Sequence, residues 1–179
     1  MSQVKRYHPA LVILHWVIAL AILGMFALGL FVLDEMESID PQKAGLSMLH
    51  IFGGVGILVL AIIQLIIRVK KQRPARIVTG HPLADKLATA VHHLLYLLTA
   101  LVAIAGLVLA FSADLFSILF LHIGTLPKDY EDFTVHEVHG FLAISLIVLA
   151  GLHIAAALYH QYILKDHIFT RMSLRRGKD

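Results

Sequence analysis

Residues 139–160 read HGFLAISLIVLAGLHIAAALYH, twenty-two positions without one Asp, Glu, Lys or Arg, with histidine at both ends and again at 153. An uncharged apolar run of this length reads as a membrane-spanning helix, because about 20 residues rising about 1.5 Å each cross the hydrocarbon core of a bilayer. Working outward, three further stretches have the same character, so spans are expected at roughly 10–33, 46–69, 87–111 and 138–164. The first is too long for the apolar core of a signal peptide and shows no small-x-small cleavage pattern before the acidic run Asp34 to Asp40, so it reads as a retained helix. The expected fold class is an all-α integral membrane protein, a four-transmembrane-helix bundle forming a single membrane domain over residues 1–179.

Composition agrees. Hydrophobic residues make up 59% of the 179 and charged residues only 15%, with a mean hydropathy of +0.82. A soluble domain carries about 25% charged residues, so lipid must solvate much of this surface. The absence of cysteine excludes disulfides, thiolate zinc and iron–sulfur sites, and covalent c-type haem. Thirteen of the fifteen basic residues fall on one side of the expected spans: Lys5 and Arg6; Arg68, Lys70, Lys71, Arg73, Arg76 and Lys86; Lys165, Arg171, Arg175, Arg176 and Lys178. The positive-inside rule therefore puts both termini in the cytoplasm of a bacterial inner membrane. The opposite face holds Lys43, Lys128 and nine of the twelve acids: Asp34, Glu35, Glu37, Asp40, Asp114, Asp129, Glu131, Asp132 and Glu137. Basic residues placed this way suit anionic lipid headgroups, so no nucleic-acid partner is expected.

No Asp, Glu or Lys lies deep in any span, which speaks against a proton-coupled carrier, since intramembrane carboxylates are what such chemistry ordinarily uses. The intramembrane polar residues are largely histidines: His15 in the first span, His50 in the second, His92 and His93 in the third, and His139, His153 and His160 in the fourth. Neutral imidazole is the usual axial ligand of haem iron, and four-helix bundles build cofactor sites from side chains on facing helices. With the spans alternating in direction, His15 and His153 share a depth near the cytoplasmic face, and His50 and His139 share one near the outer face. His139 and His153 lie fourteen residues apart, about 21 Å along a helix and within about 40° of one face. One helix can thus serve two stacked irons, and His15 with His153 and His50 with His139 are the expected axial pairs.

Neighbouring residues leave alternatives open. His92 either competes with His15 for the inner iron or hydrogen-bonds a haem propionate, while His93 points about 100° away toward the lipid interface. His136 is the rival of His139. His8, His81, His122 and His167 read as solvated, and Met25, Met36 and Met48 as packing. The small residues Gly53, Gly54, Gly56 and Ala155 to Ala157 either leave room for a flat macrocycle or serve as ordinary helix contacts.

The spaced combination resembles the bacterial cytochrome b561 family of small four-helix di-haem inner-membrane proteins, over almost the whole chain. The residues carrying the likeness are His15-Trp16, His50-x-x-Gly53 with Arg68 downstream, and His92-x-x-Leu95-Tyr96. In the last span they are His139, His153-Ile-Ala-Ala-Ala-Leu-Tyr-His160 and then Lys165-Asp166 and Arg171-Met172. Gln64 and Ala103 depart from the family pattern, standing where Arg and Pro are common. The resemblance implies two haems b on His15, His50, His139 and His153, and ubiquinone near the cytoplasmic haem with His160 as its proton partner. It also implies superoxide as the outer electron donor, as in a superoxide oxidase.

The nine outer acids oppose the approach of a small anion, although a local funnel at Lys43 or Lys128 would restore it. The first two function classes carried forward are a quinone-reducing oxidoreductase fed by superoxide, and a cytochrome b electron-transfer subunit serving a periplasmic redox protein with a basic face. A histidine-based metal transporter is the third.

Overall fold

Pro9, Pro41 and Pro82 each stand in the first turn of a long helix, where a missing N–H is no loss and the fixed φ favours a helical start. Two of these starts are capped from the preceding residue: His8 Nδ1 accepts from Ala10 N at 3.2 Å, and Asp40 Oδ1 from Gln42 N at 2.8 Å. A computed structural model describes residues 6–72, 74, 82–130 and 132–174. Lys5, Arg73, Arg76, His81, Glu131, Arg175, Arg176 and Lys178 lie outside the described residues.

The helices are α1 (Pro9–Leu28), continued by a π-helical turn over Gly29–Leu33, α2 (Pro41–Lys70), α3 (Pro82–Ser112), α4 (Leu115–Leu121), α5 (Thr134–Tyr162) and α6 (Ile168–Arg171). Among the described residues there is no strand. Four segments of the described residues are long and apolar enough to cross a membrane: Pro9–Leu33, Pro41–Lys70, Asp85–Ser112 and Thr134–Tyr162. Large apolar side chains such as Leu20, Phe31, Phe141 and Leu152 stand exposed along them, as lipid-facing helices require. The chain is a multi-pass membrane protein.

Helix α2 begins at Pro41 and α5 at Thr134, ahead of the expected 46 and 138, because caps end a helix whereas hydropathy marks only its hydrocarbon part.

Helix α1 packs on α2, α2 on α3 and α3 on α5, whereas α1 and α5 scarcely touch through their backbones. The two hairpins are thus joined along the α2–α3 seam and held apart on the other side. Tyr7 N donates to Arg171 O at 3.1 Å and Trp16 Nε1 to Met172 O at 3.3 Å, which brings both termini to one end, called here the terminal end.

At the opposite end α4, a helix that hydropathy did not announce, lays Leu115 and Leu119 against Ala110 and Ala113 of the α3 end, with Ala44, Met48 and Ile51 of α2 packed against the cluster. Beside it Lys43 is 6% exposed, its Nζ donating to Met36 O at 2.6 Å and lying 5.8 Å from the centre of the Tyr130 ring. Burial pushes the Tyr130 phenol above its usual range, so the ring meets the ammonium as a neutral π face. Lys43→Met keeps the stem but leaves the Met36 carbonyl without its donor. It is expected to cost about 1–3 kcal/mol, read as a lowered thermal midpoint in detergent.

Candidate functional site

Helix α5 carries a histidine near each end of the bundle, and each meets a histidine from the other hairpin. Toward the opposite end, the rings of His50 on α2 and His139 on α5 have centroids 6.1 Å apart and planes at 76°. Toward the terminal end, those of His15 on α1 and His153 on α5 are 6.4 Å apart at 74°. Two imidazoles bound on opposite sides of one metal ion at about 2 Å each have their centroids about 6 Å apart. Both pairs stand at that separation, and each bridges helices whose backbones are not in close contact.

The orientation of the opposite-end pair is built from backbone. His139 donates through Nδ1–H to Val102 O of α3 at 3.0 Å, which leaves Nε2 as the free lone pair. His50 Nδ1 is buried without a hydrogen-bond partner, a state that calls for a ligand. Glycine makes room for both rings: a Cβ at Gly29 would lie 3.1 Å from His50 Cε1, and one at Gly106 would lie 3.0 Å from His139 Cε1. Gly29 also opens the π-helical turn that ends α1, and such turns recur at functional sites. Around the pair lies a mostly apolar cavity of about 710 Å³ including its mouth, lined by Met25, Gly54, Thr99, Ala103, Ala143 and Leu146. His50 and His139 are the residues that would hold a cofactor whose metal brings its remaining ligands with it.

In the terminal-end layer a third histidine stands close. The His92 ring is 5.2 Å from His153, and its Nδ1–H donates to Ala88 O at 2.6 Å. That separation is shorter than two imidazoles on opposite sides of one metal would show, so His15 with His153 has the bridging geometry and His92 stands beside it. Trp16 meets His15 edge-on at 5.6 Å.

His136 turns from this axis. Its ring is 5.9 Å from Tyr130, whereas His139 is the one that faces His50. His93, His8, His122 and His167 are exposed. Met25 lines the cavity and Met48 packs beneath α4. Of the three glycines after His50, Gly54 lines the cavity, while a Cβ at Gly53 would collide with the Met25 thioether. Arg68 lays its guanidinium 5.7 Å from the Tyr96 ring centre, and Lys165 is exposed. The funnel expected of Lys43 needs correction: its amine is buried and spent on Met36 and Tyr130, so among the described residues Lys128 is left to play that part.

His160, at the terminal end of α5, pairs through Nδ1 with Asp166 Oδ2 at 2.6 Å. The likeness named Asp166 without giving it a role, and sequence reasoning missed Val102 O and Gly29. Only the six-residue step from His160 to Asp166 across a helix end carried any signal.

The chain matches the family described as prokaryotic cytochrome b561 over residues 6–173. It is 27% identical over 174 residues to a protein of Yersinia pestis named probable superoxide oxidase CybB, covering 94% of this chain and 96% of that one. It is 28% identical over 180 residues to a cytochrome b562 of Cereibacter sphaeroides, covering 96% and 98% of the two chains. Cytochrome b561 homolog 2 of Escherichia coli is also 28% identical over 180 residues, with 98% and 95% covered. With paired imidazoles on a membrane bundle and a family match over nearly its whole length, this chain belongs to the prokaryotic cytochrome b561 family and is a haem b membrane protein of electron transport.

Proposed function

We propose that His15 with His153 and His50 with His139 hold two stacked haems b, through which single electrons cross a bacterial inner membrane to ubiquinone at the terminal, cytoplasmic end. The observation that carries this reading is the pair of ring separations, 6.4 and 6.1 Å, at two depths of one bundle. Haem supplies reversible one-electron iron chemistry, and two copies match the two electrons a quinone takes up. The protein does the rest. The Val102 carbonyl fixes the tautomer and orientation of His139, and the apolar cavity wall excludes water. His160 gives protons to the quinone, with Arg68 and Lys165 as electrostatic support. Cytoplasmic termini are supported by Arg6, Arg68, Lys70, Lys71, Lys86, Lys165 and Arg171 lying toward one end.

The relative named a probable superoxide oxidase suggests superoxide as the outer donor. A periplasmic redox protein with a basic face is the second reading. It is favoured by exposed Asp34, Glu35, Glu37, Asp114, Asp129 and Asp132 at an end where Lys43 is buried. Purified protein is expected to hold about two haems b per chain by pyridine haemochrome and to reduce a short-chain ubiquinone as a single polypeptide. A single haem per chain, or quinone turnover that demands a second protein, would sink the leading form.

A further inference from the structure

Behind the last turn of α5 the chain doubles back to place one carboxylate on one imidazole. His160 Nδ1 and Asp166 Oδ2 are 2.6 Å apart, each side chain 24% exposed, and the other carboxylate oxygen, Oδ1, is buried without a hydrogen-bond partner. The backbone is bent to make the contact. Lys165 and His167, on either side of Asp166, both adopt φ 55°, a left-handed conformation that residues with a β-carbon disfavour. Asp166 N donates back to His160 O at 3.3 Å, and Phe169 N of α6 donates to Gln161 Oε1 at 3.2 Å, which ties the turn to the helix. Tyr159 meets the His160 ring edge-on at 6.3 Å. Left-handed backbone on both flanks of one short, charge-assisted contact is a placement the fold enforces, and such strain concentrates at functional sites. Closing the end of α5 would not need a carboxylate aimed at an imidazole.

We propose that Asp166 is the positioning residue of His160 in quinone reduction: it holds Nδ1–H, presents Nε2 to the ubiquinone oxygen, and stabilises the imidazolium that delivers each proton. The inference rests on the reading that His160 serves a quinone. Each quinone takes two electrons from the haems and two protons. In each proton transfer the Nε2–H bond breaks, an O–H bond forms on the quinone, and His160 returns to neutral with Nδ1–H still held by Asp166. Water at the terminal end then supplies the next proton to Nε2, and the carboxylate finishes the cycle unchanged.

The test uses haem-loaded full-length protein, a short-chain ubiquinone, and the variants Asp166→Asn, Asp166→Glu and His160→Gln. Asp166→Asn is expected to lower kcat roughly 10- to 100-fold, leaving KM for quinone and the haem spectrum in place, with partial recovery in Asp166→Glu. Nitrogen-15 spectra of labelled histidine should show His160 leaving the Nδ1–H tautomer in Asp166→Asn. A slow His160→Gln beside an Asp166→Asn with unaltered kcat and tautomer overturns the role of Asp166 and leaves the quinone reading standing. Full turnover in His160→Gln with both haems bound overturns the quinone reading itself. Equal loss of haem in Asp166→Asn and Asp166→Glu makes the carboxylate a mere helix closure and overturns the proposal.

Discussion

Alanine at His139 is expected to lower the haem content of the purified protein from about two per chain to about one, removing the haem toward the opposite end and leaving the other in place. The ring of His139 stands 6.1 Å from His50, and nothing else on α5 at that depth offers a nitrogen on the axis. His136 lies one turn away with its ring against Tyr130, so His136→Ala is expected to keep both haems. His50→Ala should reproduce the His139→Ala spectrum, and His15→Ala or His153→Ala should remove the complementary component. His92→Ala is expected to leave both haems, with the terminal-end component shifted, because a ring 5.2 Å from that of His153 is too close to stand across one iron from it. Both haems persisting in His139→Ala while His136→Ala loses one would reverse the assignment of that pair. Loss of the terminal-end haem in His92→Ala alone would displace His15.

Reduction of the haems by superoxide, followed by stopped flow, is expected to accelerate about tenfold as ionic strength rises from 0.01 to 0.15 M. Over that interval the screening length falls from about 30 to about 8 Å. The sign follows from charge placement. At the end opposite the termini, Asp34, Glu35, Glu37, Asp114, Asp129, Asp132 and Glu137 are exposed, and the amine of Lys43 is buried against Met36 and Tyr130. An anion approaching this end meets repulsion that salt relieves, whereas a protein donor with a basic face meets attraction that salt weakens. A fast rate that falls with salt would instead locate a positive funnel at Lys128 and favour superoxide as the donor. Lys128→Ala would then lower the rate severalfold at low salt.

Much of this was legible in the chain itself. Four runs such as 139–160 had to be membrane helices, because an uninterrupted apolar run of that length satisfies its own polar backbone groups in lipid as a helix. The fourteen-residue step from His139 to His153 had to stack two imidazoles on one face, because helical rise and turn are constants. The depths of His15 and His50 then followed from alternating direction, and the structure brings those rings to their partners. Other features were hidden for equally physical reasons. The short helix α4 is apolar for packing and too short to register as a span. Lys43 reads as a free surface cation because hydropathy reports residue type and not the carbonyl waiting seven residues earlier.

By itself, then, the sequence determined what depends on local chemistry and regular geometry: membrane spans, their alternating direction, the shared depths of their histidines, and histidine as the ligand supply. Tertiary structure alone decided what depends on close approach between segments. It turned the His136 ring onto Tyr130, set His92 beside the His15 and His153 pair, placed Gly29 and Gly106 under the imidazoles, and turned Asp166 back onto His160. Spacing along one helix constrains rotation and rise. A contact of 3 Å between helices depends on how the whole bundle packs, and no local pattern encodes that distance.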